Sequence, residues 1–155
     1  MVKIIFLDLD GVLNIIDQEF QYFTSFNKFE NIEYFERHLV ARLNHIINQT
    51  DVNLVISSSW RLDMEQLEFE LKKVNFKYWD KVIGSTPVRD NRGAEILEWL
   101  EKNYPNNDYE FLVIDDEIRD LKNIYPSNIL EIDPRVGITR EQVYQIIHYF
   151  GKEII

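Results

Sequence analysis

The stretch Lys3-Ile4-Ile5-Phe6-Leu7-Asp8-Leu9-Asp10-Gly11-Val12-Leu13 constrains this chain more than any other. Ile4 to Leu7 is an unbroken apolar run, the pattern of a strand buried on both faces. The run stops at two carboxylates one residue apart, and a glycine follows. Packing does not explain carboxylates at the end of a buried strand, because an unpaired buried charge is expensive. In open α/β sheets, ligands sit at the carboxyl ends of the strands. An Asp-x-Asp pair there suits a hard divalent cation. Gly11 supplies the backbone freedom for a sharp exit from the strand.

The rest of the chain alternates. Residues 14–31 are rich in aromatics (Phe20, Tyr22, Phe23, Phe26, Phe29) with no clean period, which predicts a loop or flap. Either its rings stack on a substrate base, or they pack as a satellite cluster on the body. Phe35, Leu39, Leu43, Ile46 and Ile47 predict a helix over 33–49. His38 and His45 lie on one face of it, with no third ligand in register, and read as solvated side chains. Val52 to Ile56 predicts a second buried strand, ending in Ser57-Ser58-Ser59-Trp60-Arg61. Asp63 and Gln66 resemble a capping box, and Met64, Leu67, Leu71 and Val74 give the next helix an apolar face. Lys81 to Ser85 predicts a third strand. Ala94 to Lys102 predicts a helix with Ile96, Leu97 and Leu100 inward. Phe111 to Ile114 predicts a fourth strand running into Asp115-Asp116, and 117–124 a short helix. Ile129 to Ile132 predicts the fifth strand. Thr139 and Gln142 predict a capping box for a last helix, with Gly151 at its C-cap. Five strands alternating with helices predict an α/β fold with a doubly wound parallel sheet.

Three strands thus end in polar groups suited to one phosphoryl site. The first offers Asp8 and Asp10, the second serines, the fourth Asp115 and Asp116. Arg92-Gly93 opens the helix before the fourth strand. Singly, each has an ordinary explanation: an N-cap serine, a solvated arginine, or acids at a helix start. Their order, all at strand carboxyl ends, points to a single site.

This order resembles the four motifs of the haloacid-dehalogenase (HAD) phosphohydrolase superfamily over nearly the whole chain. DLDGVLN, SSSWR, RGAEILEWL before an IDD strand, and a late GIT-capped helix resemble the HAD domains of Swiss Army Knife RNA-repair proteins. The resemblance implies a HAD-like Rossmannoid fold; the chain's length suits a single domain over 1–155, and the gaps between the motifs leave room only for a minimal cap. The resemblance also implies Asp8 as nucleophile and Asp10 as general acid and base. The second-motif hydroxyl falls on Ser57, with Ser58 as runner-up. Arg92 takes the place usually held by Lys, with Lys81 as the alternative. Ser58 and Arg61 are candidate substrate contacts. Mg²⁺ is the implied cofactor, held by Asp8, Asp10 through its carbonyl, and Asp115 or Asp116. Asp120 reads as a solvated helix residue. The implied activity is phosphomonoester hydrolysis through an aspartyl-phosphate. A nucleotide or nucleic-acid-end phosphate is the narrower expectation, and a small non-nucleotide phosphomonoester the alternative.

Composition narrows the alternatives. The chain has 155 residues, no cysteine and a formal net charge of −10. That excludes a disulfide framework and argues against a broad nucleic-acid-binding surface. No stretch reads as a signal peptide or membrane span, so a soluble cytoplasmic protein is expected. A receiver-like phospho-accepting module would need an Asp at the end of the third strand, where Gly84-Ser85 stands. An inert binding domain is the remaining alternative; that all expected polar positions are filled counts against decay.

Overall fold

The computed structural model describes residues 1–16 and 33–151. The predicted flap, from residue 17 on, lies outside the described residues. Five strands form one sheet: β1 Val2–Leu7, β2 Asn53–Ile56, β3 Val82–Ser85, β4 Tyr109–Asp115 and β5 Ile129–Glu131. Their order is β3-β2-β1-β4-β5, and all pairs are parallel. The helices are α1 Arg37–Thr50, α2 Met64–Lys73, α3 Arg92–Asn103 and α4 Arg140–Gly151. The predicted doubly wound α/β architecture is therefore the observed one.

Strand alternation builds two cores. Ile5 and Leu7 face one side of the sheet, with Leu39, Leu43 and Ile46 of α1, Leu67 and Leu71 of α2, and Val143, Ile146 and Phe150 of α4. Ile4 and Phe6 face the other, with Ile96, Trp99 and Leu100 of α3 and with Leu121 and Ile124. The chain steps one way across the sheet from β1 to β3, then returns to β4 beside β1 and on to β5. Right-handed crossovers in opposite directions put their connections on opposite faces. The gap between the carboxyl ends of β1 and β4 is the topological switch point, where such sheets bind ligands.

Local chemistry sets the ends. Thr139 and Gln142 form the predicted reciprocal cap: the Gln142 N–H donates to Thr139 Oγ1 (3.1 Å) and the Thr139 N–H to Gln142 Oε1 (3.0 Å). Asp63 caps α2 by accepting from the Gln66 N–H, but the Gln66 side chain donates to Glu70 instead of reaching back. Four other expectations are corrected. The helix predicted from residue 33 begins at Arg37, with Phe35 already buried ahead of it. Within α3 the inward stripe is Ile96, Trp99 and Leu100, and Leu97 is exposed, because the large indole takes the sheet-facing position. Residues 117–124 form only a 3₁₀ turn, Arg119–Leu121, since the apolar residues Ile118, Leu121 and Ile124 recur every third position, the period of such a turn. Gly151, the last described residue, is still helical and does not take the left-handed C-cap conformation, which at the end of α1 is taken by Asp51. No helix among the described residues is long and apolar enough to cross a membrane.

Candidate active site

Register assembles the site. Leu7 pairs with Ile56 on one side and with Ile114 on the other. The residues one step further along, Asp8, Ser57 and Asp115, therefore share a row at the carboxyl rim. Backbone bonds carry the ladder through that row, from Asp8 N–H to the Ile114 carbonyl (3.0 Å) and from Ser57 N–H to the Leu7 carbonyl (2.9 Å). In strand parity all three belong with Phe6, Val55 and Val113, on the face covered by α3. Arg92, the first residue of α3, therefore meets the row. Its Nη1 donates to Asp115 Oδ2 (2.6 Å) and lies 3.5 Å from Asp8 Oδ1. Glycine at the next position leaves room for the Asn123 side chain and the Asp120 carbonyl, which a Cβ on Gly93 would meet at 1.8 and 3.0 Å.

The turn after β1 is shaped for the same purpose. Gly11 has φ +86°, and a Cβ there would lie 2.5 Å from Asp116 Oδ2. Glycine thus lets the turn approach the β4 acids. The Gly11 N–H donates to Asn14 Oδ1 (2.8 Å), and Asn14 Nδ2 donates to Asp10 Oδ1 (2.9 Å). From the β2 exit, Trp60 Nε1 donates to Asp10 Oδ2 (3.2 Å). Its indole packs against Tyr34 and Phe35. Both oxygens of Asp10 are thereby held, from two segments of chain.

The electrostatics are unbalanced. One carboxylate oxygen from each of Asp8, Asp115 and Asp116 lies within 4.8 Å of the other two. Asp8 and Asp115 are buried, and the contacting cation is one guanidinium, that of Arg92. Burial, then the charge of Asp115, pushes the Asp8 carboxyl up to about 10. Burial also raises Asp115, against the pull of Arg92. Burial alone would lower Arg92, but Asp115 and Asp8 overcome it and keep the guanidinium firmly charged. Carboxylates crowded in this way cannot all ionise without more positive charge. An all-oxygen, multiply anionic donor set fits a hard divalent cation.

A cavity of about 250 Å³ opens over this cluster, lined by Asp8, Asp10, Ser58, Arg92, Asp116 and Asp120 among others. Asp120, read from sequence as merely solvated, is exposed but belongs to its wall. Ser57 is fully buried, does not line the cavity, and has a hydroxyl without a hydrogen-bond partner. Ser58 lines the cavity, and its Oγ accepts from the Trp60 N–H. Arg61 is not brought to the cavity. Its Nη2 pairs with buried Glu95 (3.2 Å) and its Nη1 meets Thr86 Oγ1. Lys81 precedes β3, at the opposite end of that strand, and pairs with Asp51. Among the described residues Arg92 is thus the cation that meets the acids, and Lys81 does not reach them. Sequence reasoning missed Asn14 and Trp60 as partners of Asp10. An Asn four residues after Asp10, in a glycine turn, was a usable signal; the 50-residue separation of Trp60 from Asp10 left none.

A parallel, doubly wound sheet with Asp-x-Asp at its switch point and a second acidic pair on the adjacent strand defines a HAD-type domain. Residues 4–143 match the family described as the HAD domain in Swiss Army Knife RNA repair proteins, and the chain belongs to that family. No curated protein and no solved structure matches the chain. Membership makes the protein a HAD-type hydrolase of a family that acts on phosphorylated substrates.

Proposed function

We propose that the protein is a Mg²⁺-dependent phosphomonoester hydrolase working through an aspartyl-phosphate on Asp8. The observation that carries this reading is the convergence of Asp8, Asp115 and Asp116 against one guanidinium at the switch point. Asp8, the Asp10 carbonyl, and Asp115 or Asp116 would hold the ion. Bound there, Mg²⁺ would supply the positive charge that lets an anionic nucleophile approach an anionic phosphate.

The chain's own residues do the rest. Asp8 attacks phosphorus in line, and the bond to the leaving oxygen breaks. Asp10, oriented by Asn14 and Trp60, gives that oxygen a proton. Water then attacks the aspartyl-phosphate, Asp10 takes its proton, and inorganic phosphate departs with Asp8 restored. Arg92 compensates charge on the equatorial oxygens. We assign the second-motif role to Ser57, since a buried hydroxyl without a partner is costly until a ligand supplies one. Ser58, at the cavity wall, is the companion contact.

The substrate we favour is a nucleotide or nucleic-acid-end phosphate, supported by the family's description. A cytoplasmic location goes with the same reading. Hydrolysis of an aryl phosphate with and without Mg²⁺ tests the reaction. A 3′-phosphorylated oligonucleotide compared with its mononucleotide tests the substrate: a polynucleotide enzyme favours the longer one in kcat/KM, and loses that advantage as salt rises.

A further inference from the structure

A second cavity, of about 380 Å³, lies between α1 and α4. Helical spacing builds it. His38, Arg42 and His45 fall on one face of α1, beside the stripe that enters the core. Arg140, Val143 and Tyr144 come from the first two turns of α4. Four of these six are cationic or can donate a hydrogen bond through an imidazole, and no carboxylate lines the cavity. In a chain of net charge −10 that is a local reversal of sign.

The groups are arranged for use. Arg42 Nη1 donates to the Ile138 carbonyl (2.8 Å), which fixes the guanidinium and leaves its other donors unspent. Among the described residues Arg140 makes no hydrogen bond or ion pair. Glu36 lies 3.9 Å from His38 Nδ1 but outside the cavity lining. Tyr144 stands 73% exposed at the cavity, beside buried Val143. Neighbouring arginines suit a phosphate, and an exposed tyrosine next to them suits the flat face of a base. The row from His38 to His45 runs about 10 Å along the helix, longer than one phosphate group.

We propose that the α1–α4 groove binds single-stranded nucleic acid, with backbone phosphates along Arg42 and Arg140 and a base stacked on Tyr144. The groove is separate from the catalytic rim, so this binding stands whether or not the hydrolase reading does. The test uses the full-length protein in chelator and a labelled RNA of about ten nucleotides. Both RNA ends are hydroxyls, so there is no terminal phosphate to hydrolyse. Fluorescence anisotropy is read for wild type, Arg140→Glu and Tyr144→Ala at about 50 and about 200 mM salt. Each variant is expected to weaken binding about fivefold or more, the worth of one stacking or phosphate contact. Affinity should also fall with salt. Both variants should hydrolyse aryl phosphate like wild type, which certifies their fold. The proposal is overturned if wild type binds no RNA, if both variants bind like wild type, or if an acidic peptide competes as well as unlabelled RNA.

Discussion

The catalytic rim and the α1–α4 groove are both charged cavities, built in opposite ways. At the rim, strand register forces Asp8 and Asp115 into buried neighbouring positions. In the groove, helix periodicity places Arg42, Arg140 and two imidazoles on a surface that water still reaches. Like charges in solvent cost little, because water and salt screen them. Like charges that are buried hold free energy until something relieves it, and here Asp8 is held far from its ordinary protonation state. That difference underlies the roles proposed for them: chemistry with a cation at the rim, and binding alone in the groove.

The largest break in that contrast should come from Asp8→Asn. Losing the nucleophile at nearly constant volume is expected to reduce aryl-phosphate turnover about a thousandfold or more, with folding intact. Near-wild-type activity would remove Asp8 from the mechanism. Asp10→Asn should cost about a hundredfold or more, because it carries both proton transfers. A single-turnover experiment should still trap slow phosphorylation of Asp8; complete loss of that step would give Asp10 a different role.

Metal dependence sharpens the same comparison. Asp115→Asn and Asp116→Asn should each raise the Mg²⁺ concentration for half-maximal rate about tenfold, and Asp120→Asn should change it less than about twofold. Asp115→Asn should lower kcat as well, since it also releases Arg92. A shift confined to Asp120→Asn would move the acidic pair elsewhere. Trp60→Phe keeps the packing on Tyr34 and Phe35 but deletes the donor to Asp10. It should lower kcat about tenfold, the worth of one hydrogen bond to a charged group, and shift the pH–rate profile. An unchanged profile would make Trp60 a packing residue only.

The smallest effect is on stability. A carboxyl whose folded pKa is raised stabilises the fold fully below its unfolded value, near 4, and loses that contribution as pH rises through the folded value, about 10. The melting temperature of the metal-free protein should therefore fall as pH climbs from about 4 toward about 10. Asp8→Asn should flatten that slope and raise the melting temperature in chelator at neutral pH, by about 3 °C for each kcal/mol relieved. A slope identical in wild type and variant would show that the buried charge is relieved in some other way.

Much of the rim was legible in the sequence because its parts are local. Ile4–Leu7 announced a buried strand, Asp8-Leu9-Asp10-Gly11 its polar end, and Asp115-Asp116 the matching end of β4. Leu97 misled because periodicity weighed it equally with Trp99, whereas packing rewarded the larger ring. The helix predicted over 117–124 failed because acidic and apolar residues there suit one short turn as well as two long ones. Arg61 read as a substrate contact because Glu95, its buried partner, is 34 residues away.

The sequence by itself determined the class of sheet and the chemical inventory of the rim, since apolar runs and the residues that end them act over a few positions. Only the tertiary structure decided which donors hold Asp10, which cation meets Asp115, and that two imidazoles and two arginines share a groove. Those relations join residues brought together by strand register and helix packing, and no local period records such contacts.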